Sequence, residues 1–312
     1  MKSGDDMLAE IFYWVLNMSI IGSVMGCIIL LLRKMKGLPR FFVYLLWVIP
    51  LIRLSIPIGL SGKYSLMTLI SSFTTKTVVV YDPYILPSFV VTNSIMAANA
   101  YFPIEYKTDI LESVFSIASL VWAVIACAAL IAALVLYGFT KAEVKYAKHL
   151  KDNVYVSDRI TAPAIYGILK PRILIPEGMA EEDLKYVLLH ENAHLCRRDN
   201  LFRCIALVTA CIHWFNPLIW LFLKYFFEDM ELACDTKVLR HIPEMEQQSY
   251  ALSLLGYATG KSLFVSAFGG AGIKVRVENI LSYKKLTVTS AICFVLLLAA
   301  IGVVLLTNAQ VA

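Results

Sequence analysis

The sequence predicts a mostly α-helical, polytopic integral membrane protein with about four transmembrane helices and a cytoplasmic domain carrying a small β element. Three observations predict it. Hydrophobic residues make up 59% of the 312-residue chain and charged residues only 16%, against about 25% in an average soluble domain. Several uncharged runs approach the ~20 residues that cross the hydrocarbon of a bilayer. Lys and Arg cluster at the ends of those runs, as they do in cytoplasmic loops. Such loops account for the net charge of +5, so no direct nucleic-acid contact is expected. The seven cysteines contain no CxxC pair and read as reduced, buried thiols rather than a disulfide framework.

Residues 1–60 hold the first two spans. Ile11 to Leu32 is uncharged. The start of the chain is acidic, with Asp5, Asp6 and Glu10, whereas a signal peptide begins basic, so the run reads as an uncleaved helix. Arg33, Lys34, Lys36 and Arg40 then lie on the cytoplasmic side, which puts the N-terminus outside. Phe41 to Leu60 reads as a second span kinked by Pro50 and Pro57, with Arg53 snorkelling or paired. Residues 61–112 form an extracytoplasmic segment and residues 113–139 a third span. The basic stretch "KAEVKYAKHLK" then opens a cytoplasmic domain over residues 140–285. A further apolar run, 204–223, lies within that domain. A crossing there would carry the basic "SYKK" outside, so the run reads as a single buried or interfacial helix. Residues 286–307 form the fourth span, and the C-terminus is extracytoplasmic.

Within 140–285, Asn153 to Val156 and Arg172 to Pro176 look like short strands flanking the turn-rich "APAIYGILKP". The stretch "EGMAEEDLKYVLLHENAHLCRRDN" reads as a helix. Glu181, Glu182 and Asp183 complement the dipole of its first turn, and Leu184, Val187, Leu188 and Leu195 form its buried stripe. On this helix His190 and His194 stand one turn apart on the same face. Two neutral imidazoles so spaced can bind one Zn2+ ion. Glu191, rotated by about 100°, reaches a water on that metal as general base. Alone, the pentapeptide is also compatible with ordinary helix histidines. A hydrolytic zinc site needs a third protein ligand and an open fourth position. Downstream, "EDMELACDTKVL" offers Glu231 as that ligand. Asp235, on the same helix face, is left to accept a hydrogen bond from a ligand histidine. Glu228, Asp229 and Lys237 read as a solvated face, and His213 as a buried, hydrogen-bonded histidine. Arg240 and His241 are candidate oxyanion donors. Ile165 to Ile175 reads either as a sheet edge for an extended substrate or as a hairpin packed on the helix.

Taken together, "APAIYGILKPRILIP", "HENAH", "HWFNPLIW" and "ELACD" resemble the membrane zinc metallopeptidases of the bacterial beta-lactam sensor and antirepressor group. A more remote likeness is to the heat-shock and CAAX-processing membrane proteases, which use HExxH with a later ExxxD. The resemblance runs from about Ile11 to the last span. It implies a gluzincin-like zinc domain with His190, His194 and Glu231 as metal ligands, Glu191 as catalytic base and Asp235 behind the metal. It also implies relay of an envelope signal by cleavage of a protein substrate, such as a transcriptional repressor, or of the chain itself. The glycine-containing segment 262–281 reads either as an ordinary linker or as the internal substrate, with cleavage near Ser266, Ala267 and Phe268. The best-known members carry a penicillin-binding domain after the last span. "SYKK" satisfies SxxK through Ser282 and Lys285, but SDN and KTG are absent and the stretch is predicted cytoplasmic. The resemblance therefore implies the protease and not the antibiotic sensor.

The expected partners are a protein or peptide substrate and the lipid bilayer, with a homo-oligomer left open. Two other readings compete. A quality-control protease for membrane proteins would use the same site. A non-enzymatic transmembrane receptor or scaffold would bind a ligand through 61–112 and be indifferent to Glu191→Ala.

Overall fold

A computed structural model describes residues 4–35, 37–56, 65–66, 109–168, 170–257 and 272–307. Its elements run α1 (Gly4–Arg33), α2 (Arg40–Leu46), α3 (Val48–Ser55), α4 (Asp109–Val144), β1 (Lys148–Lys151), β2 (Val154–Ser157), β3 (Ala164–Tyr166), β4 (Arg172–Pro176), α5 (Glu181–Arg197), α6 (Asp199–Ile212), α7 (Pro217–Leu239), a 3₁₀ turn (Glu244–Glu246), α8 (Gln247–Tyr257), α9 (Ile273–Leu281) and α10 (Val288–Leu306). The described residues are mostly helical, with one small sheet.

Among the described residues three helical segments are long and apolar enough to cross a membrane: Met7–Arg33, Val114–Phe139 and Val288–Leu306. They correspond to the first, third and fourth expected spans. The second differs. In its described part it is the two short helices α2 and α3, broken at Trp47. Pro50 has no N–H to donate to the Leu46 carbonyl, so the helical ladder fails there. Arg53 is buried, at 2% exposure. The extracytoplasmic segment expected at 61–112 lies largely outside the described residues.

The helices pack closely because α1 is small where it is crossed. A methyl group at Gly22 would overlap Leu54 of α3, and one at Gly26 would overlap the Phe222 ring of α7. Small residues four apart let helix backbones approach in an apolar environment. The core formed there includes Met25, Ile29, Tyr44, Trp47, Phe222 and Phe226.

The run expected as one helix over 204–223 is two. α6 ends at Ile212 and α7 begins at Pro217. The Asn216 side chain accepts from the Leu218 N–H at 3.0 Å. Pro217 occupies the first helical position, where no N–H is needed. The chain therefore reverses at His213–Asn216 and makes an antiparallel hairpin. α7 continues without a break from the apolar run through the acidic patch, so the two are one helix.

The sheet has the order β1-β2-β4-β3, with β2 and β4 parallel and the other pairs antiparallel. Ile173 and Ile175 pack on Val187 of α5, flanked by Leu184, Leu188 and Leu195, which is the stripe the sequence predicts. Residues 165–175 form a hairpin in which β3 pairs with β4 and is itself an edge strand of the sheet; Asn200 donates to the carbonyls of Ile165 and Gly167 at 3.2 and 3.1 Å. All seven cysteines are free thiols, but only Cys211 and Cys234 are buried. Cys27, Cys127 and Cys293 are exposed on the apolar helices α1, α4 and α10.

Candidate metal centre

α5 contributes three buried groups: His190, Glu191 and His194. The two Nε2 atoms lie 3.1 Å apart. Their approach follows from what holds the other ring nitrogens. His194 Nδ1 is bonded to Asp199 Oδ2 at 2.5 Å. His190 Nδ1 meets Tyr250 Oη at 2.9 Å, and that hydroxyl donates to Asp235 Oδ1 at 2.7 Å. With both Nδ1 atoms engaged, both Nε2 atoms face the shared space. Asp199 reaches His194 because Arg198 adopts a left-handed conformation (φ 56°) that ends α5 and starts α6. Asp199 is fully buried and also bonds Tyr44 Oη and Arg197.

α7 contributes Glu231. Its carboxylate oxygens lie 3.4 Å from His190 Nε2 and 3.6 Å from His194 Nε2. Three donors held tetrahedrally at zinc-ligand bond lengths would stand ~3.3 Å from one another. The Nε2 pair, at 3.1 Å, fits that spacing, and the Glu231 carboxylate faces the pair with a different oxygen toward each ring, Oε2 at 3.4 Å from His190 and Oε1 at 3.6 Å from His194. Arg203 grips Glu231 Oε1 at 2.5 Å, and Arg276 of α9 approaches Oε2 at 3.5 Å. Burial opposes the charge on Glu231, but the two imidazoles and Arg276 outweigh it and hold the carboxyl well below the ordinary carboxylate range. Asp235 behaves likewise: burial would raise it, yet the Arg276 guanidinium, bonded at 2.7 and 2.9 Å, keeps it ionised.

Cys234 is also close. Its Sγ and the donor atoms of His190 and His194 lie within 4.8 Å of one another, and its thiol donates to the His190 carbonyl at 3.3 Å. Glu191 is different from every other acid in the cluster. It is 9% exposed, and its carboxylate makes no hydrogen bond or ion pair among the described residues.

A family model described as BlaR1 peptidase M56 matches residues 13–280. This chain belongs to that family. It is similar to a regulatory protein BlaR1 from Bacillus licheniformis, 29% identical over 180 residues, which is 53% of this chain and 30% of the relative. A methicillin resistance mecR1 protein from Staphylococcus aureus is 29% identical over 149 residues, 44% of this chain and 25% of the relative. A regulatory protein BlaR1 from Staphylococcus aureus is 32% identical over 111 residues, 34% of this chain and 19% of the relative. The matches thus cover less than a third of the length of each of these curated relatives. As a family member the chain is a membrane protein of the metallopeptidase class.

The structure brings together His190, His194, Glu231 and Asp235, with Glu191 buried on the same helix as the two histidines. It does not bring Arg240 or His241 to them. Arg240 ends α7 and lies over the Phe41 ring, 5.7 Å from its centre. His241 is exposed and bonds the Lys237 carbonyl. Nine residues of helix, ~14 Å along the axis, separate Glu231 from Arg240. Ser266, Ala267 and Phe268 lie outside the described residues. His213 is buried and bonded to the Leu54 carbonyl at 3.0 Å.

The acids expected on a solvated face are instead a helix anchor. Arg33 bonds Asp229 at 2.9 and 3.1 Å and Glu228 at 2.8 Å, Trp47 donates to Asp229 at 2.9 Å, and Asp229 is fully buried. The reason is that the basic end of α1 packs beside α7. Sequence reasoning also missed Asp199, Tyr250, Arg203 and Arg276. For Asp199 a signal existed, since it follows His194 by five positions across a helix end. The other three come from distant elements.

Proposed function

We propose that this chain is a zinc endopeptidase that relays an envelope signal by cutting a cytoplasmic protein regulator, itself, or both. The observation that carries the reading is the convergence of His190 Nε2, His194 Nε2 and the Glu231 carboxylate at 3.1 to 3.6 Å, with both Nδ1 atoms already bonded. In this reading those three residues hold zinc. Glu231 is preferred to Cys234 as third ligand because its oxygens already face the two rings, while the thiol is engaged with a backbone carbonyl.

Asp199 and the Tyr250–Asp235 pair would orient the two imidazoles and raise their basicity. Arg203 and Arg276 would keep Glu231 ionised and aimed. A zinc ion held there would supply an acidified water and polarise the scissile carbonyl. Glu191, the unengaged carboxylate, would serve as general base toward that water and return the proton to the leaving amine.

The basic stretches around Arg33 and Lys285 support a cytoplasmic face for residues 140–285, with both termini outside the cell membrane. Two relatives bear the name regulatory protein and one a methicillin resistance name, which supports a signalling role over general degradation. The test is metal analysis and proteolysis on the purified full chain. About one zinc per chain and loss of cleavage in Glu191→Ala with zinc retained are expected. A metal-free wild-type protein, or cleavage that survives Glu191→Ala, overturns the reading. A proteome comparison with Glu191→Gln then separates one cleaved regulator from many cleaved membrane proteins.

A further inference from the structure

Beyond placing Asp199, Arg203, Glu231 and Asp235 at its open end, the α6–α7 hairpin has no role in the chemistry above. We infer that it is a re-entrant membrane element: it enters the bilayer beside α1 and α3, turns inside the hydrocarbon at His213–Asn216, and leaves with Glu231 at its exit. The partner of its outer face is lipid acyl chains.

Its depth is read along α1, whose segment Met7–Arg33 is long and apolar enough to span. Arg33 pairs with Glu228 and Asp229 at 2.8 and 2.9 Å, so the lower part of α7 lies level with the basic end of α1. The tip lies far from that level. Asn216 Nδ2 donates to Ser23 Oγ at 2.7 Å and Ser19 Oγ at 2.8 Å. Those serines are ten and fourteen residues along α1 from Arg33, which is ~15 to 21 Å of helix. The Phe215 ring meets Phe12, further still along α1, at 6.1 Å. On the other side Trp122, inside the apolar segment of α4, donates to the Ile212 carbonyl at 2.8 Å. A bilayer core is ~30 Å thick, so the turn lies at or beyond its middle.

The chemistry of the turn agrees. Where helix is broken inside hydrocarbon, the freed polar groups must be satisfied by protein. Trp122 serves the Ile212 carbonyl, and Leu54 serves His213 Nε2. Trp220 donates to the Trp214 carbonyl at 3.1 Å. Of these groups His213 Nδ1 alone lacks a partner among the described residues. The outward face is the third observation. Leu201, Ile205 and Val208 on α6 and Leu218, Trp220 and Leu221 on α7 are 36 to 44% exposed, and residues 204–223 contain no Asp, Glu, Lys or Arg. α4 and α10 present the same kind of surface. Lys224, just below, is placed to snorkel.

The test is nitroxide depth measurement on the full chain in phosphatidylcholine–phosphatidylglycerol vesicles. Cys27, Cys127, Cys196, Cys204 and Cys293 are replaced, and single labels are placed at Val208 and Leu221. Leu297 of α10 is the acyl-chain reference and the 93%-exposed Met245 the aqueous one. Collision with oxygen should exceed collision with a water-soluble nickel complex several-fold at 208 and 221, as at 297. Values like those at 245, or a position at the headgroup level, overturn the inference. Trp220→Phe gives a measurement free of labels. It should remove part of the fluorescence quenched by lipids brominated at mid-chain, and an unchanged quenched fraction likewise overturns the inference.

Discussion

α5 and α7 both present candidate metal ligands to one cluster, yet they are held in opposite ways. The donors of α5 come from a single helical turn, and one of them, His194, is oriented from close by, by Asp199 only five residues away. Glu231 of α7 is held by Arg203 from α6 and Arg276 from α9, and its helix is anchored two residues earlier by Arg33 from α1. The α5 half is one helical turn, its His194 ring fixed locally by Asp199 and its His190 ring by the Tyr250 hydroxyl of α8. The α7 half is a tertiary assembly in which a membrane-embedded helix touches the residue pair next to the ligand.

Substitutions at the two halves can break or sharpen that contrast. The largest effect is expected from His190→Ala or His194→Ala, each of which should remove the bound zinc and abolish proteolysis, read by metal analysis and peptide cleavage. Glu191→Gln should lower cleavage by about 10²- to 10⁴-fold, the usual contribution of a general base, with zinc content unchanged. On the α7 side, Arg33→Ala leaves Asp229 buried with only the Trp47 N–H. Removing one partner of a buried pair costs about 3 kcal/mol; the low end of the usual range is chosen because burial already pushes the Asp229 carboxyl up despite Arg33, so protonation relieves part of the cost. Denaturant unfolding in detergent measures this, and an unchanged midpoint would mean that α1 does not hold α7. Asp199→Asn and Tyr250→Phe should each weaken zinc binding by about 10- to 100-fold without eliminating it, measured by chelator competition. The smallest effect, within about 0.5 kcal/mol, is expected for Arg240→Ala and His241→Ala, whose cleavage rates should match the parent's.

Much of the cluster was legible in the chain, for reasons that differ between residues. His190 and His194 follow from helical period alone. Glu231 and Asp235 were legible as acids sharing one helix face, but not the fact that the face is turned toward α5. The relation expected between Asp235 and a ligand histidine exists mainly through the Tyr250 hydroxyl, because Arg276 occupies the Asp235 carboxylate directly. Asp229 was misread as solvated for a related reason: its helix face looks polar in sequence, and only the arrival of Arg33 and Trp47 makes burial tolerable. The oxyanion candidates Arg240 and His241 follow Glu231 closely in sequence, but a rigid helix converts that interval into distance.

By itself the sequence determined the apolar helices, the buried stripe of α5 and the paired imidazoles, because each depends on a periodicity of few residues and on hydrophobic transfer. The tertiary structure alone decided how those pieces meet. The split of 204–223 into a hairpin, the orientation of Glu231 and the arrival of Tyr250 and Arg276 join residues 60 and 41 positions apart from their partners. Such pairs leave no trace in local pattern. They exist because a buried charge or donor is stable only where some other element brings its complement.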